Sequence, residues 1–312
     1  MTPTVLYDAD IDRLSLAEAI DILVGVFQAR ASHGVVAPPR WSVTTPQGSL
    51  VFTAGAVLPQ NVIGARAYTT MSGHGSDVTQ YVSVFDGTTG VLHGIVIGNR
   101  LGQLRNAAIG GVAARYLANP DAAIVGVIGA GHQAHLHLLA LAAVHRLRAI
   151  RIFSPTQAHR TALALDIGRA LNVPVAPVNS AEGAVRDADL VLLATTSAEP
   201  VLDGQWLKPG AHVHSLGPKR KDRHELDQTT LDRASLVTTD APHQLAVEGE
   251  QGLLYGTPWQ TQLTDLADVV AGRVKRPDAR AITVFLSAGL AGTEVALAAW
   301  LIGAPRPEPP AE

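Results

Sequence analysis

Gly129-Ala130-Gly131-His132-Gln133-Ala134 follows an apolar run at 123–128 and opens a stretch of helical composition reaching about residue 145. A G-x-G-x-x-A turn between a buried strand and a helix suits a pyrophosphate. The first glycine permits the tight turn, and the second lets the backbone approach the anion. The small Ala134 keeps the helix close to the sheet, and the helix N-terminus supplies N–H donors. All six residues are candidate dinucleotide contacts. The end of the next apolar run, Ala149–Phe153, bears on the choice of coenzyme. Ser154-Pro155-Thr156 follows it, with His159 and Arg160 one turn on, and no carboxylate stands there to grip a ribose diol. The Ser154 and Thr156 hydroxyls and the Arg160 cation fit a 2′-phosphate, so NADP(H) is expected over NAD(H). The alternative is that Thr156 caps its own helix and Arg160 is solvated. Thr195, just past the apolar run 190–194, is a further expected cofactor contact.

Other chemistry is weaker. Gly217-Pro218-Lys219-Arg220-Lys221 is a short basic turn after the apolar run 211–216, at what would be the sheet's carboxyl edge. Lys219 there either touches substrate or cofactor or belongs to a solvated loop. His132, His135 and His137 cannot share one helix face, and His212 and His214 share a strand face without a third ligand, so no metal site is expected. G-x-S-x-G and G-K-[ST] do not occur, which removes serine-hydrolase and P-loop chemistry.

The elements that would hold these residues fall into two groups. From 119 to about 281, apolar runs at 123–128, 149–153, 173–178, 190–194, 211–216 and 236–239 alternate with helical segments. That is the pattern of βαβ units and a parallel, doubly covered sheet. Strand-like stretches at 43–53, 62–70, 79–86 and 91–97, with a hairpin turn at Asp86-Gly87-Thr88-Thr89-Gly90, suggest a mixed or antiparallel sheet beside helices at 16–31 and 104–117. The expected fold is α/β: a Rossmann-type cofactor domain (119–286) and an α+β substrate and dimerisation domain (1–118 with 287–312). An apolar helix at 288–301 is expected to cross back to the first domain, followed by a disordered Pro-rich tail at 304–312.

Composition agrees with a folded chain of about two domains: 312 residues, 47% hydrophobic and 16% charged, with a formal charge of -3 and no basic run for nucleic acid. The absence of cysteine removes disulfides, thiolate metal sites and a cysteine nucleophile. The stretch 281–304 is apolar enough to resemble a membrane span, but Glu294, Gly289 and Gly292 interrupt it. A strand end and a buried helix are expected instead, in a soluble, cytoplasmic protein without membrane contact.

Taken together, several stretches resemble the ornithine cyclodeaminase/mu-crystallin family over nearly the whole chain. They are Pro38-Pro39-Arg40, Gly64-Ala65-Arg66, the hairpin Asp86 to Gly90, Leu104-Arg105-Asn106-Ala107-Ala108, the GAGHQA turn, Gly217 with Glu225-Leu226, and Ser287-Ala288-Gly289. The resemblance implies a homodimer joined through the sheets of the first domain, with substrate held between the domains. It also implies that Arg40, Arg66 and Arg105 face the substrate. Arg66 stands where cyclodeaminases of the family carry a lysine, and Lys219 where they carry an aspartate; Asn106 replaces a threonine. Arginine keeps a cation but does not give up a proton at useful pH. Cyclodeamination must deprotonate an amine, so a sister activity is expected. The resemblance points to an NAD(P)H-dependent reductase of small cyclic α-imino acids, Δ1-pyrroline-2-carboxylate or Δ1-piperideine-2-carboxylate. The carboxylate would dock on Arg40, Arg66, Arg105 and Lys219, with Arg66 as the catalytic cation. Open alternatives are a structural ion pair for each arginine and, for the whole chain, a cyclodeaminase, an amino-acid dehydrogenase or a non-catalytic crystallin-like binder.

Overall fold

The structure is a computed structural model and describes residues 2–71, 77 and 79–305. The chain divides into two compact units, Met1–Asn106 with Gly289–Glu312, and Ala107–Ala288. The boundary therefore falls inside the helix Arg100–Leu117, not after it at residue 118, because that helix begins among the residues of one unit and ends among those of the other. Most of the tail expected to be disordered lies outside the described residues.

The first unit is built on a seven-stranded sheet. Its strands are β1 (Thr4–Tyr7), β2 (Val35–Val36), β3 (Trp41–Thr45), β4 (Gly48–Val57), β5 (Val62–Thr69), β6 (Gln80–Asp86) and β7 (Leu92–Ile97). The order is β1-β7-β6-β5-β4-β2, with β3 also paired to β4; all pairs are antiparallel except β1 with β7. The stretch 43–53, expected as one strand, is a hairpin. Pro46 and Gln47 form its tip and Gly48 takes φ +144, where a side chain would strain the backbone and strike Met71. The turn after β6 is closed by Asp86 Oδ1, which accepts from the Thr88 and Thr89 amides (3.0 and 2.7 Å).

Among the described residues, two α-helices lie wholly within this unit. Leu16–Ala31 starts at a Ser15/Glu18 capping box and buries Ile20, Leu23 and Phe27 completely. The expected C-terminal helix is shorter than 288–301. Gly289 and Gly292 take positive φ, so the helix starts at Thr293 and runs to Ile302. It packs on one face of the sheet, where Gly64 accommodates Val295 and Gly55 lies against Gly292. The apolar stretch 281–304 is thus a strand, a glycine turn and a ten-residue helix. Among the described residues no helix is long and apolar enough to cross a membrane. The other face of the sheet carries an in-register row, Tyr7, Ile97, Tyr81, Ala67, Phe52 and Trp41. Trp41 stacks on Phe52 at 4.3 Å yet stays 59% exposed, as do Tyr7 at 56% and Tyr81 at 45%.

The second unit carries the parallel sheet. Its strands are β8 (Ile124–Ile128), β9 (Ala149–Phe153), β10 (Val175–Pro177), β11 (Leu190–Leu193), β12 (His212–Ser215), β15 (Leu236–Thr239), β16 (Thr264–Asp265) and β17 (Thr283–Leu286), with a two-stranded ribbon of β13 (Lys219–Arg220) and β14 (Arg223–His224). The order β10-β9-β8-β11-β12-β17-β15-β16 reverses direction between β8 and β11, the switch point at which such sheets bind dinucleotides. Each expected apolar run is a strand, and the central ones, β11, β12, β15 and β17, are buried on both faces. One face of the sheet packs Leu138, Ile150, Ile152 and Ile167, the other Val191, Val213, Val237 and Val284.

Candidate active site

The phosphate turn is built by backbone constraints. Gly129 sits at φ +117, and a Cβ there would collide with the Ala194 carbonyl, so β8 can bend sharply only with glycine at this position. Gly131 is the N-cap of the helix His132–Val144 and offers no side-chain cap. Among the described residues nothing lies within 4 Å of where its Cβ would be, so the space beside Gly131 is open. Ala134, by contrast, is fully buried in the core. An uncapped helix N-terminus on a glycine turn, with room beside it, fits a pyrophosphate.

At the end of β9, Thr156 is exposed and takes the N-cap position of the helix Gln157–Leu171, without a side-chain cap bond. Arg160 is not solvated, nor is its fork held out to a ligand. It is 8% exposed, and its guanidinium donates to the carbonyls of Ser154 (2.8 Å) and Pro155 (3.4 Å) and to Asn179 Oδ1 (2.9 Å). The cation ties the turn's carbonyls to Asn179, and Ser154 is itself buried. Thr195 likewise turns inward. Its amide and hydroxyl donate to Glu225 Oε1 (2.7 and 2.9 Å), while Ser215 Oγ and the Gly217 amide donate to Glu225 Oε2 (2.8 and 2.7 Å). Glu225, wholly buried, thereby ties together the carboxyl ends of β11 and β12. Lys219 is half-buried and donates to the carbonyls of Ser215 and Gly217 (3.1 and 2.6 Å). It also lines a cavity of about 390 Å³ with His243, Leu253, Leu254 and Tyr255.

His137, His212 and His214 are buried in the core, while His132 is exposed and His135 lies 3.0 Å from Asp166 Oδ2. His214 stands between His137 and Phe285, with ring centroids 5.1 and 4.9 Å away, and Gly110 passes close against both histidines. Burial, with Arg276 and His145 nearby, pushes His212 down to about 3, and burial also drives His214 well below its ordinary value. Among the described residues no group of three or more potential metal ligands occurs.

The candidate substrate cations lie in the first unit. Arg66, in the middle of β5, and Arg105, on the helix Arg100–Leu117, converge on Glu294 at the start of the C-terminal helix. Glu294 Oε1 accepts from Arg66 Nη1 (3.0 Å) and from Arg105 Nη2. Arg66 Nε donates to Gln80 Oε1 (2.7 Å), Gln80 Nε2 donates to the Asn99 carbonyl (2.9 Å), and the Arg66 guanidinium lies 4.2 Å from the centre of the Tyr68 ring. Burial lowers Arg66, opposed by Glu294. For Glu294 burial pushes upward, but Arg105 and Arg66 outweigh it and hold the carboxyl below its ordinary value.

The ion-pair alternative is therefore realised for Arg66 and Arg105, through a residue that stands out in the sequence only as a charge in an apolar segment. A lone acid in an apolar helix must be met by cations, and that is the signal that points to it. Pairing does not exhaust the site. Arg105 is 4% exposed, and among the described residues its Nε and Nη1 have no hydrogen-bond partner. Arg40 is exposed. Trp41 pairs with Phe52, and Thr53 with Arg66, so the register continued by one residue puts Arg40 on the face and in the row of Arg66. Two strand spacings separate them, roughly 10 Å.

A family model for the ornithine cyclodeaminase/mu-crystallin family matches residues 4–303. The chain belongs to that family. It is 28% identical to the ketimine reductase mu-crystallin of Macropus fuliginosus, over 96% of each chain. Among solved structures of similar fold, Δ1-pyrroline-2-carboxylate reductase of Thermococcus litoralis in complex with NADH and L-proline superposes with a TM-score of 0.86 at 26% identity, covering 96% of this chain and 95% of that one. The iminosuccinate reductase of Paracoccus denitrificans in complex with NAD+ does so with a TM-score of 0.87 at 27% identity, again over 96% and 95%. All three of these family relatives are named reductases of imines, and both solved structures hold a nicotinamide coenzyme.

Proposed function

We propose that this chain is a nicotinamide-dependent reductase of small α-imino acids, with cyclic substrates such as Δ1-pyrroline-2-carboxylate and Δ1-piperideine-2-carboxylate as the first candidates. One observation carries the reading: Arg105 is buried with two donors unmatched among the described residues, beside a second arginine that shares its carboxylate partner. A buried unsatisfied donor costs about 1–3 kcal/mol, and more when charged, so the arrangement is sustained by a ligand that brings a carboxylate. A bound nicotinamide supplies the hydride. The residues of the chain hold the acid end of the substrate and keep its imine carbon at a fixed distance from the arginines. An iminium arrives protonated, so no group here has to act as a base, in keeping with Arg66 in place of a lysine.

The coenzyme preference we infer is NADP(H). The turn after β9 lacks a carboxylate, the Thr156 hydroxyl is exposed, and the Arg160 charge is bonded to the backbone that a 2′-phosphate would meet. The exposed apolar row on the first unit's sheet supports a homodimer joined there. A second reading, an imino dicarboxylate of the iminosuccinate type, is favoured by Arg40 sharing a sheet row with Arg66, since a second cation offers a second carboxylate a place. The test is NADPH and NADH oxidation with pyrroline-, piperideine- and iminosuccinate substrates. Turnover of a cyclic imino acid supports the first reading and turnover of the dicarboxylate alone the second. Tight binding without turnover would favour a crystallin-like binder.

A further inference from the structure

We propose that Glu294 is a positioning residue that sets the Arg105 fork for the substrate carboxylate. This rests on reading Arg105 as the docking group. Glu294 is 1% exposed and lies in the first turn of the C-terminal helix, next to Thr293, whose hydroxyl donates to the Leu290 carbonyl (2.6 Å) and approaches Glu294 Oε2 (3.3 Å). Its other oxygen, Oε1, holds both guanidiniums at once. Two cations on one buried oxygen would repel each other without the charge between them.

The geometry leaves single donors of Arg105 for a ligand. Nη2 bonds Glu294, while Nε and Nη1, on opposite sides of the guanidinium plane's axis, are the donors unmatched among the described residues. Nη1 is packed beside Gly289, at φ +88, where a Cβ would approach it to 2.8 Å and crowd it. On the other side, a Cβ on Gly102 would come within 3.0 Å of Arg66 Nη2, so the second guanidinium is hemmed in as well. The three groups sum to one positive charge, and an incoming carboxylate brings the cluster to neutrality. Without Glu294, the space between the arginines would itself be the best carboxylate site, and the substrate acid would settle there, displaced from the unmatched Arg105 donors.

Such displacement binds substrate but misplaces its imine carbon, and that has a kinetic signature. Glu294→Gln keeps the shape and removes the charge. It should lower kcat about 100-fold with KM within about threefold, because the anion is still held. Glu294→Asp restores the charge one methylene short, and should recover kcat only in part, to about five- to tenfold below the native enzyme. Coenzyme affinity, measured by fluorescence titration, should be unchanged in both. The proposal is overturned if the Gln variant keeps kcat within about threefold, if Asp is as impaired as Gln, or if the loss is carried by KM alone. Should the Gln variant not fold, Asp decides: a lowered kcat at constant KM supports the clamp, and an unchanged kcat overturns it. Should the native chain reduce no imino acid, the proposed function fails separately, and the clamp is read by calorimetric binding of L-proline to the coenzyme-loaded protein. Arg105→Lys should then weaken proline binding more when Glu294 is present than in the Glu294→Gln background; equal weakening in both backgrounds would overturn the clamp.

Discussion

Arg105 and Arg40 are not equivalent cations. Arg105 is buried with donors unmatched among the described residues, whereas Arg40 is exposed just ahead of β3, two strands away from Arg66. Removing a charge-assisted pair from a desolvated site costs on the order of 2–4 kcal/mol, whereas an exposed pair is worth about 0–1 kcal/mol. Arg105→Ala should therefore lose roughly thirty- to a thousandfold in kcat/KM. Arg105→Lys should rescue little, because a point charge lacks the fork that bonds Glu294 and a ligand together. Steady-state kinetics checks this, with melting temperature as a control for folding. Retention of kcat/KM within threefold by a folded Ala variant would move the carboxylate to another cation.

Elements act here through the places where their backbones come closest. Gly131 begins its helix at φ -91 with open space around it, so Gly131→Ala should leave stability unchanged. The added methyl would stand where a pyrophosphate must come, and coenzyme affinity should fall on the order of tenfold or more, about 1.4 kcal/mol. Equilibrium titration with NADPH tests it; unchanged affinity would mean that the coenzyme does not use this turn. β12 makes a second prediction. His212, pushed down to about 3, and His214, also lowered by burial, are neutral in the folded chain, whereas in the unfolded chain they titrate near 6.5. Stability contributed by their neutral state is complete above that value and falls as pH drops toward 3. The fall is about 1.4 kcal/mol per pH unit for each histidine. Urea unfolding between pH 7.5 and 5 should show the midpoint falling. Replacing His214 by Phe or Leu should flatten the slope, and a slope unaffected by that change would show that the cluster does not carry it.

At the scale of the whole molecule the proposed dimer turns on the first unit's sheet. An in-register row containing Trp41, Tyr81 and Tyr7 is left about half exposed, while the opposite face is filled by the C-terminal helix. Exposed aromatic rows of this kind mark interfaces between proteins. Sedimentation should give a dimer, and Tyr81→Glu with Trp41→Asp should convert it to a monomer with coenzyme binding intact. A native monomer at micromolar concentration would leave that face without the proposed role.

The order of apolar runs and helices, the glycine turn and the missing carboxylate after β9 are legible in the sequence because they depend on neighbours along the chain: periodicity, turn chemistry and helix termini are local. The hairpin at Pro46–Gly48 is equally local yet reads as a single strand, since Val43 and the residues after Gly48 share one β-like composition. Other features depend on residues far apart. That β17 slots between β12 and β15 follows from packing both faces of the sheet, not from any signal within residues 283–286. Arg160 looks like a surface cation because sequence shows its charge and not its burial. Glu294 looks like an obstacle to a membrane span, and its place in the site emerges only when residues 66, 105 and 294 meet at one oxygen. A charge declares its sign in the sequence, but its function depends on which other charges the fold brings within hydrogen-bonding distance, and on whether water is there to screen them.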